Sequence, residues 1–410
     1  MVAATVAGNA LEFYDFVTYA FFAVFIGITF FPASTPLNSL LLSVGVFGVG
    51  FFARPLGGLL IGAFADRAGR RPAMLLTIAL ITIGTLGLAL TPSYASIGVA
   101  APVIVVLCRL VQGLALGGEI GPASAFLVEA APEGKRGLYA SWQLASQGAA
   151  ACVAGLVGMT MNSLLTVEQM TSWGWRVPFL VGLLLVPLAV YLRRRMPETL
   201  HESPPRPENI GKAGLKKYRR LIALAVLVVL GGTVSTYVLN FMTTYAITTL
   251  RMPSGIALGA TVIGGFATVV GGLLGGWCSD RFGRKSTMLW PRVLTAVLAV
   301  PAFMLLVAHP TTVMLLTVSG VLAALTVISG GASIVAIPEL LPRGIRATGM
   351  SIAYAVGVSL FGGSTQLLVT WLIATTGNPA APAWYMVATS VISVLAMLAL
   401  PESRGRALED

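Results

Sequence analysis

One stretch of the chain occurs twice. Gly57-Gly58-Leu59-Leu60-Ile61-Gly62-Ala63-Phe64-Ala65-Asp66-Arg67-Ala68-Gly69-Arg70-Arg71 returns as Gly271-Gly272-Leu273-Leu274-Gly275-Gly276-Trp277-Cys278-Ser279-Asp280-Arg281-Phe282-Gly283-Arg284-Lys285. Shorter matches follow in the same order: Glu129, Pro132 and Arg136 correspond to Glu339, Pro342 and Arg346, and Pro197-Glu198 corresponds to Pro401-Glu402. Repeats in constant order indicate a duplication. We predict two halves, residues 1–192 and 220–410, joined by a linker at 193–219.

The composition identifies the environment of these halves. Of 410 residues, 56% are hydrophobic and 10% are charged, against about 25% charged residues in an ordinary soluble protein. This excludes a soluble enzyme, a disordered chain and a nucleic-acid-binding domain. Long apolar runs, each able to cross a hydrocarbon core of about 30 Å as a helix, predict an all-α membrane protein with about twelve spans. We place the spans near 8–31, 38–64, 73–91, 98–128, 137–160, 174–192, 221–249, 256–279, 288–308, 311–338, 346–376 and 383–400.

The positive charge of the chain predicts its orientation. The net charge is +11, and all but four of the 26 Lys and Arg residues lie in alternate polar breaks between the spans. Because such residues concentrate on the cytoplasmic side, we expect both termini in the cytoplasm and the chain in a plasma membrane, the inner membrane of a bacterium. The charge therefore predicts topology, not a nucleic-acid partner, and no obligate protein partner is evident.

The repeated element leads to a hypothesis about movement. Its glycines allow close helix approach, and its carboxylates at the helix ends can pair with nearby arginines. Breaking those pairs would accompany rocking of two parallel halves around a central substrate. The alternative is that these charges only solvate loops and set the topology. The predicted gating residues are Asp66, Arg70, Arg136, Asp280, Arg284 and Arg346.

Ionisable side chains inside the predicted spans are functional candidates, because a charge at bilayer depth costs several kcal/mol. The first half contains Glu12, Asp15, Arg54, Arg109 and Glu119. In the second half, no Asp, Glu, Lys or Arg lies from Leu221 to Leu250, between Arg292 and Glu339, or between Arg346 and Glu402. Arg292 itself is assigned here to a polar break. We therefore predict that the first half handles charge.

These buried charges predict a proton site. Three carboxylates face two arginines, so pairing leaves one carboxylate over, and in a low dielectric that group favours its protonated form. Asp15 and Glu119 are favoured over Glu12 as the proton-coupling residue, and Arg54 belongs to the same set. The alternative is a static salt-bridge network that only fixes helix packing.

Polar side chains at mid-depth are candidates for substrate binding. Each alone is as consistent with interhelical hydrogen bonding as with ligand contact. The predicted substrate-binding residues are Asn9, Tyr19, Arg109, Gln112, Gln143, Gln147, Tyr237, Asn240 and Tyr354. No cofactor or metal is expected, because Cys108, Cys152 and Cys278 lack ligand spacing and no phosphate-binding glycine loop supports direct use of ATP.

Several motifs resemble those of one family. Gly8-Asn9-Ala10-Leu11-Glu12-Phe13-Tyr14-Asp15-Phe16 resembles the first-helix signature of the metabolite:proton symporter family within the major facilitator superfamily, and Arg109-Leu110-Val111-Gln112-Gly113 through Gly117-Gly118-Glu119 resembles its fourth-helix motif. Trp173-Gly174-Trp175-Arg176-Val177-Pro178-Phe179 and Leu341-Pro342-Arg343 through Arg346-Ala347-Thr348-Gly349 are similar to two further motifs. Within the family, 139–147 and Phe361-Gly362-Gly363 most resemble the citrate and tricarballylate carriers.

The resemblance implies twelve helices in two parallel six-helix halves and proton-coupled import of a di- or tricarboxylate by alternating access. The partners would be a small organic anion, protons and the lipid bilayer. Phe13 departs from the family, where Trp or Gln is common. A tricarboxylate needs more than one cation, and only Arg54 and Arg109 are predicted to be buried. A mono- or dicarboxylate is therefore an alternative substrate. Other hypotheses are symport of a zwitterion such as proline or betaine, a carrier-like sensor, and a drug efflux pump.

Overall fold

The computed structural model describes residues 2–68, 70–117, 127, 131–132, 134–194, 212–341, 349–350 and 352–404, and all regular structure in these ranges is helical. We label the helices α1–α17 in chain order. They are α1 Val2–Phe21, α2 Ala23–Phe30, α3 Pro36–Ala68, α4 Arg70–Leu90, α5 Tyr94–Ile97, α6 Ala100–Gly117, α7 Arg136–Leu164, α8 Val167–Ser172, α9 Val177–Leu184, α10 Val186–Arg194, α11 Lys212–Asn240, α12 Met242–Thr248, α13 Ser254–Phe282, α14 Arg284–Ala308, α15 Thr312–Leu340, α16 Gly363–Thr376 and α17 Ala381–Ala399. A π-helical segment, Ala355–Gly362, leads directly into α16.

The helices provide the predicted number of membrane spans. Eleven helical segments of the described chain are long and apolar enough to cross a membrane, and α1 with α2, bent by 66° at their junction, makes a twelfth. The all-α membrane fold is therefore confirmed. The predicted linker at 193–219 lies mainly outside the described residues, and α11 begins at Lys212.

The two halves meet along α7 and α13, where glycines take the place of larger side chains. A Cβ added to Gly148 would lie 2.7 Å from the carbonyl oxygen of Gly265, and one on Gly265 would lie 2.5 Å from the backbone nitrogen of Cys152. Further along the same contact, a Cβ on Gly276 would lie 2.5 Å from the carbonyl oxygen of Gly137. The two helices therefore touch backbone to backbone, as small residues allow in membrane bundles.

Glycines also bring α3 against α6 within the first half. A Cβ on Gly113 would overlap the carbonyl group of Gly50, and one on Gly117 would overlap the carbonyl group of Arg54. Because α3 carries Arg54 and α6 carries Arg109, this close crossing sets the position of both buried arginines.

We expect Gly113→Ala to destabilise the protein. The added methyl group has to push α3 away from α6, and overpacking of this kind costs about 1–3 kcal/mol. The measurement is the apparent melting temperature in detergent, which should fall by several degrees. Gly264→Ala is the matched control, because a Cβ there has no atom within 4 Å. Equal melting temperatures for the two variants would contradict the tight crossing of α3 and α6.

Candidate functional site

A cavity of about 190 Å³ lies between the two halves. Its wall comes from α1, α3 and α7 of the first half and from α11, α13, α15 and the segment after residue 353 of the second half. Most of the lining is apolar. The predicted site residues that line it are Arg54, Gln143, Gln147, Tyr237, Asn240 and Tyr354.

Arg54 is the one charged residue among the described residues that line this cavity. Its guanidinium carbon lies 4.0 Å from the ring centroid of Phe51 and 4.6 Å from that of Phe16. Its three side-chain nitrogens make no well-aligned hydrogen bond among the described residues, although the guanidinium interacts electrostatically with the side chain of Tyr237. Two aromatic faces stabilise the cation in part, but its five N–H donors stay available to an anion in the cavity.

Arg109 is part of a separate buried group. Its Nη1 donates to Gln112 Oε1 at 2.7 Å, and Gln112 Nε2 donates to Asp15 Oδ2 at 2.5 Å and to Thr85 Oγ1 at 3.3 Å. The amide of Gln112 therefore stands between the guanidinium and the carboxylate. We name Asp15, Gln112 and Arg109 the amide-bridged group. All three residues are at least 95% buried.

The predicted pairing of the two buried arginines with carboxylates stays a prediction, because one of the three candidate carboxylates, Glu119, lies outside the described residues. Among the described residues, neither Arg54 nor Arg109 makes an ion pair with a carboxylate. The physical reason is that Gln112 occupies the space next to Asp15, while aromatic rings occupy the space next to Arg54. Glu12 is 2% exposed on α1, and Glu119 lies outside the described residues.

Four aromatic residues pack together beside Arg54 and Arg109. They pack edge to face or tilted, with ring centroids 4.8–6.3 Å apart, and we name them the aromatic wall: Phe16, Phe47, Phe51 and Tyr237. Phe16 touches both arginines, since the guanidinium carbon of Arg109 is 5.2 Å from its ring centroid and that of Arg54 is 4.6 Å away. One ring thus contacts both guanidinium groups.

The remaining predicted binding residues lie outside the cavity lining. Asn9 Nδ2 donates to the carbonyl oxygen of Gln143 at 3.0 Å and to Ser146 Oγ at 2.7 Å, which joins α1 to α7. Tyr19 donates to the carbonyl oxygen of Ser43 at 3.2 Å and lies under the Arg109 guanidinium at 4.5 Å. In this structure Asn9, Tyr19, Arg109 and Gln112 make interhelical contacts instead of lining the cavity.

Arg292 is a buried charge that the sequence analysis assigned to a polar break. The structure places it within α14, 0% exposed, where its Nη1 donates to the carbonyl oxygen of Gly231 at 3.0 Å and to Ser235 Oγ at 3.1 Å. The prediction that charge belongs to the first half alone is therefore wrong. One signal was available, because residues 286–308 contain no other charge, so Arg292 falls inside an apolar run.

The predicted gating residue Asp280 joins the two halves. It lies at the end of the bundle that carries Arg281, Arg284 and Lys285, which we name the basic end. Its carboxylate accepts hydrogen bonds from the backbone nitrogens of Gly137 at 2.8 Å and Leu138 at 2.9 Å, at the start of α7. The carboxylate is thus placed at a helix N-terminus, where negative charge is favourable.

Arg284 links Asp280 to a second carboxylate. Its Nη1 is 2.6 Å from Asp280 Oδ1, and its Nη2 is 3.1 Å from Glu339 Oε1. Arg136 is the first residue of α7 and precedes Gly137, whose backbone nitrogen donates to Asp280. The side chains of Asp66 and Arg70 and the whole of Arg346 lie outside the described residues.

The carboxylate of Glu402 closes the same end of the second half. It accepts hydrogen bonds from the backbone nitrogens of Arg284 at 2.9 Å and Lys285 at 3.0 Å, the first residues of α14. Burial alone would raise the pKa of Glu402, but these donors, with those of Ser403 and Arg404, hold its pKa below the usual value. The group therefore stabilises the fold above the ordinary pKa of a glutamate, and this contribution is lost as the pH falls through the lowered value.

Metal binding finds no support in the part of the chain that the structure describes. No group of three His, Cys, Asp or Glu side chains there is close enough together to hold an ion. The three cysteines are free thiols.

Known proteins similar to this chain are membrane carriers. A citrate-proton symporter of Salmonella typhi is 35% identical over 405 residues, which cover 97% of this chain and 93% of that protein. The alpha-ketoglutarate permease of Escherichia coli is 33% identical, covering 96% of this chain and 91% of that protein. A proline/betaine transporter of Salmonella typhimurium is 30% identical, covering 100% of this chain and 84% of that protein.

The fold has a close counterpart among solved structures. The xylose transporter XylE from E. coli, in a partially occluded inward open conformation, matches with a TM-score of 0.79 and covers 100% of this chain and 99% of its own, at 17% sequence identity. Residues 13–357 match the family model described as Major Facilitator Superfamily. The resemblance predicted from the motifs is confirmed by these relatives: the chain belongs to the major facilitator superfamily and is a multi-pass membrane transporter, not an enzyme.

Proposed function

We propose that this protein is a proton-coupled symporter that imports an organic carboxylate, citrate or a related di- or tricarboxylate, by alternating access. The observation that carries the proposal is Arg54, a buried cation that lines the cavity and has neither a charged neighbour in the lining nor a carboxylate partner among the described residues. A carboxylate is the ligand that matches a guanidinium best, because two parallel N–H···O bonds can form. The citrate and alpha-ketoglutarate carriers among the relatives support this substrate class.

The cavity offers further polar contacts around Arg54. Gln143 and Gln147 come from the first half, and Tyr237, Asn240 and Tyr354 come from the second half. Amides and phenols donate hydrogen bonds without adding charge, so they orient an anion while Arg54 attracts it. We therefore assign the main anion contact to Arg54, not to Arg109, which is not among the residues that line the cavity.

Proton coupling is assigned to the amide-bridged group. An ionised Asp15 offsets the positive charge of Arg109, to which Gln112 connects it. Protonation of Asp15 removes that negative charge, so the positive potential at the cavity rises and an anion binds more tightly. By linkage, a bound anion strengthens proton binding at Asp15 to the same extent. Glu12 and Glu119 are the alternative proton sites.

The orientation and the movement complete the proposal. We place the basic end and both termini in the cytoplasm and the protein in the inner membrane of a bacterium, because Lys and Arg concentrate on the cytoplasmic side. The contact of Asp280 with the start of α7 then holds the halves together on that side. Its rupture accompanies opening of the cavity to the cytoplasm.

A zwitterion is the second candidate substrate. A proline/betaine transporter is among the relatives, and the cavity presents the rings of Phe13, Phe21, Tyr237 and Tyr354. Aromatic faces attract quaternary ammonium groups, so a betaine could place its carboxylate at Arg54 and its cation on these rings.

The first test is uptake of radiolabelled citrate into proteoliposomes, with and without an inward proton gradient. The gradient should drive accumulation, and Arg54→Gln should lower uptake at subsaturating citrate by at least about tenfold, the cost of removing a charged partner. Arg219→Gln is the matched control, because it removes an exposed arginine at the start of α11. If the gradient drives uptake of betaine but not of citrate or 2-oxoglutarate, the substrate is a zwitterion and the proposed carboxylate substrate is wrong.

Asp15→Asn tests the proton site. The amide keeps a hydrogen bond to Gln112 but carries no charge, so we expect citrate exchange across the membrane to continue while gradient-driven accumulation is lost. The measurement compares counterflow with uphill uptake in the same proteoliposomes, and Glu168→Gln, which neutralises an exposed carboxylate on α8, serves as the control. Uphill uptake that survives in Asp15→Asn would transfer the role to Glu12 or Glu119.

Asp280→Asn tests the gating contact. Loss of the negative charge weakens the hydrogen bonds to the start of α7, so the two halves should separate more often at the basic end. Spin labels at Lys135→Cys and Phe282→Cys, both exposed positions, report this separation after the three native cysteines are replaced by alanine. Glu168→Gln, an exposed carboxylate on α8, is the control. An unchanged distance distribution in Asp280→Asn would refute the gating role.

A further inference from the structure

Arg292 is a second buried cation that has no carboxylate partner within the described part of the chain. The ion pairs of the described residues involve Arg284 on the same helix, with Asp280 and Glu339, and none involves Arg292. Its Nε has no hydrogen-bond partner among the described residues. A charge buried in an apolar interior is costly unless an opposite charge compensates it, so the environment of Arg292 is electrostatically incomplete.

The guanidinium of Arg292 reaches the wall of the cavity. Its Nη1 is fixed by the carbonyl oxygen of Gly231 and by Ser235. Its Nη2 lies 3.2 Å from the point where a Cβ on Gly232 would stand, and Gly232 is one of the residues that line the cavity. Because residue 232 has no side chain, only the backbone of α11 lies between the guanidinium and the cavity at this point.

Arg54 and Arg292, which form no ion pair with any residue that the structure describes, belong to opposite halves. Arg54 lines the cavity from α3, and Arg292 stands behind Gly232 on α11. The same helix α11 carries Tyr237, whose ring centroid lies 5.1 Å from that of Phe51. Phe51 in turn packs against the guanidinium of Arg54. Both charges therefore act on the same cavity, and in a medium of low dielectric each is felt over several ångströms.

We infer that Arg292 supplies the second positive charge of the substrate cavity and that the substrate carries at least two carboxylates, one near Arg54 and one near Gly232. This inference rests on the proposed function, and it selects a di- or tricarboxylate over a monocarboxylate or a zwitterion. A single carboxylate compensates one cation and leaves the other buried without a counterion. If Arg292 had a purely structural role and only joined α14 to α11, its substitution would not change the affinity in a way that depends on substrate charge.

The test measures binding of three acids that share a short aliphatic chain and differ in charge: butyrate, glutarate and tricarballylate. Dissociation constants are obtained with purified protein in detergent at pH 7. Arg292→Gln should weaken tricarballylate at least about tenfold and butyrate less than about twofold, because the electrostatic loss scales with ligand charge. Arg54→Gln should weaken all three acids. A merely structural Arg292 would change all three dissociation constants by one common factor, and that result overturns the inference.

A second pair of variants keeps the test valid if Arg292→Gln does not fold. Gly232→Ala and Gly264→Ala each add one methyl group to the cavity wall, but only the first stands between Arg292 and the cavity. Gly232→Ala should reduce the preference for tricarballylate over butyrate, and Gly264→Ala should leave that preference unchanged. An equal preference in both variants overturns the inference. Wild-type protein that binds none of the three acids instead overturns the proposed function itself.

Discussion

An arginine in an apolar helix bundle has to be stabilised as a cation, because a guanidinium does not lose its proton in a protein. The three arginines at mid-depth meet this constraint in different ways. Arg109 is connected to Asp15 by an amide, Arg54 rests on two aromatic faces, and Arg292 donates to a carbonyl oxygen and a hydroxyl group. Among the contacts that the structure describes for these side chains, only the first includes a carboxylate, so under the proposal above Arg54 and Arg292 give the cavity a positive field before any substrate enters.

The aromatic wall determines how this field reaches the cavity. Rings exclude water from the amide-bridged group, and a dry environment strengthens electrostatic interactions. Phe16 follows Asp15 directly in α1 and touches both Arg54 and Arg109. A change of charge at Asp15 therefore acts on Arg54 through a short, rigid and apolar path, which is what proton coupling without direct contact between proton and substrate requires.

The fold was predictable from the sequence because duplication and apolar run length are local properties of the chain. The repeated stretch indicated two equivalent halves, and the runs indicated twelve spans. The partner of Asp15 was not predictable, because it depends on which side chain fills the space beside the carboxylate, and only the three-dimensional packing brings Gln112 of α6 to that position. The location of Arg292 was misjudged because its run begins close to a basic break, and only the helical register of α14 turns its side chain toward α11.

Two cations on opposite halves of one cavity, under the proposal above, also connect substrate charge with movement. Like charges repel more strongly as they approach in a low dielectric, so an empty cavity resists closure of the halves around it. A dianion placed between Arg54 and Gly232 turns this repulsion into two attractions and favours the closed arrangement. A monocarboxylate leaves one cation uncompensated, and it would bind without supplying the full free energy of closure. Specificity for multiply charged substrates would then arise in the conformational step as much as in binding, since only a ligand that differs in affinity between two states can shift the equilibrium between them.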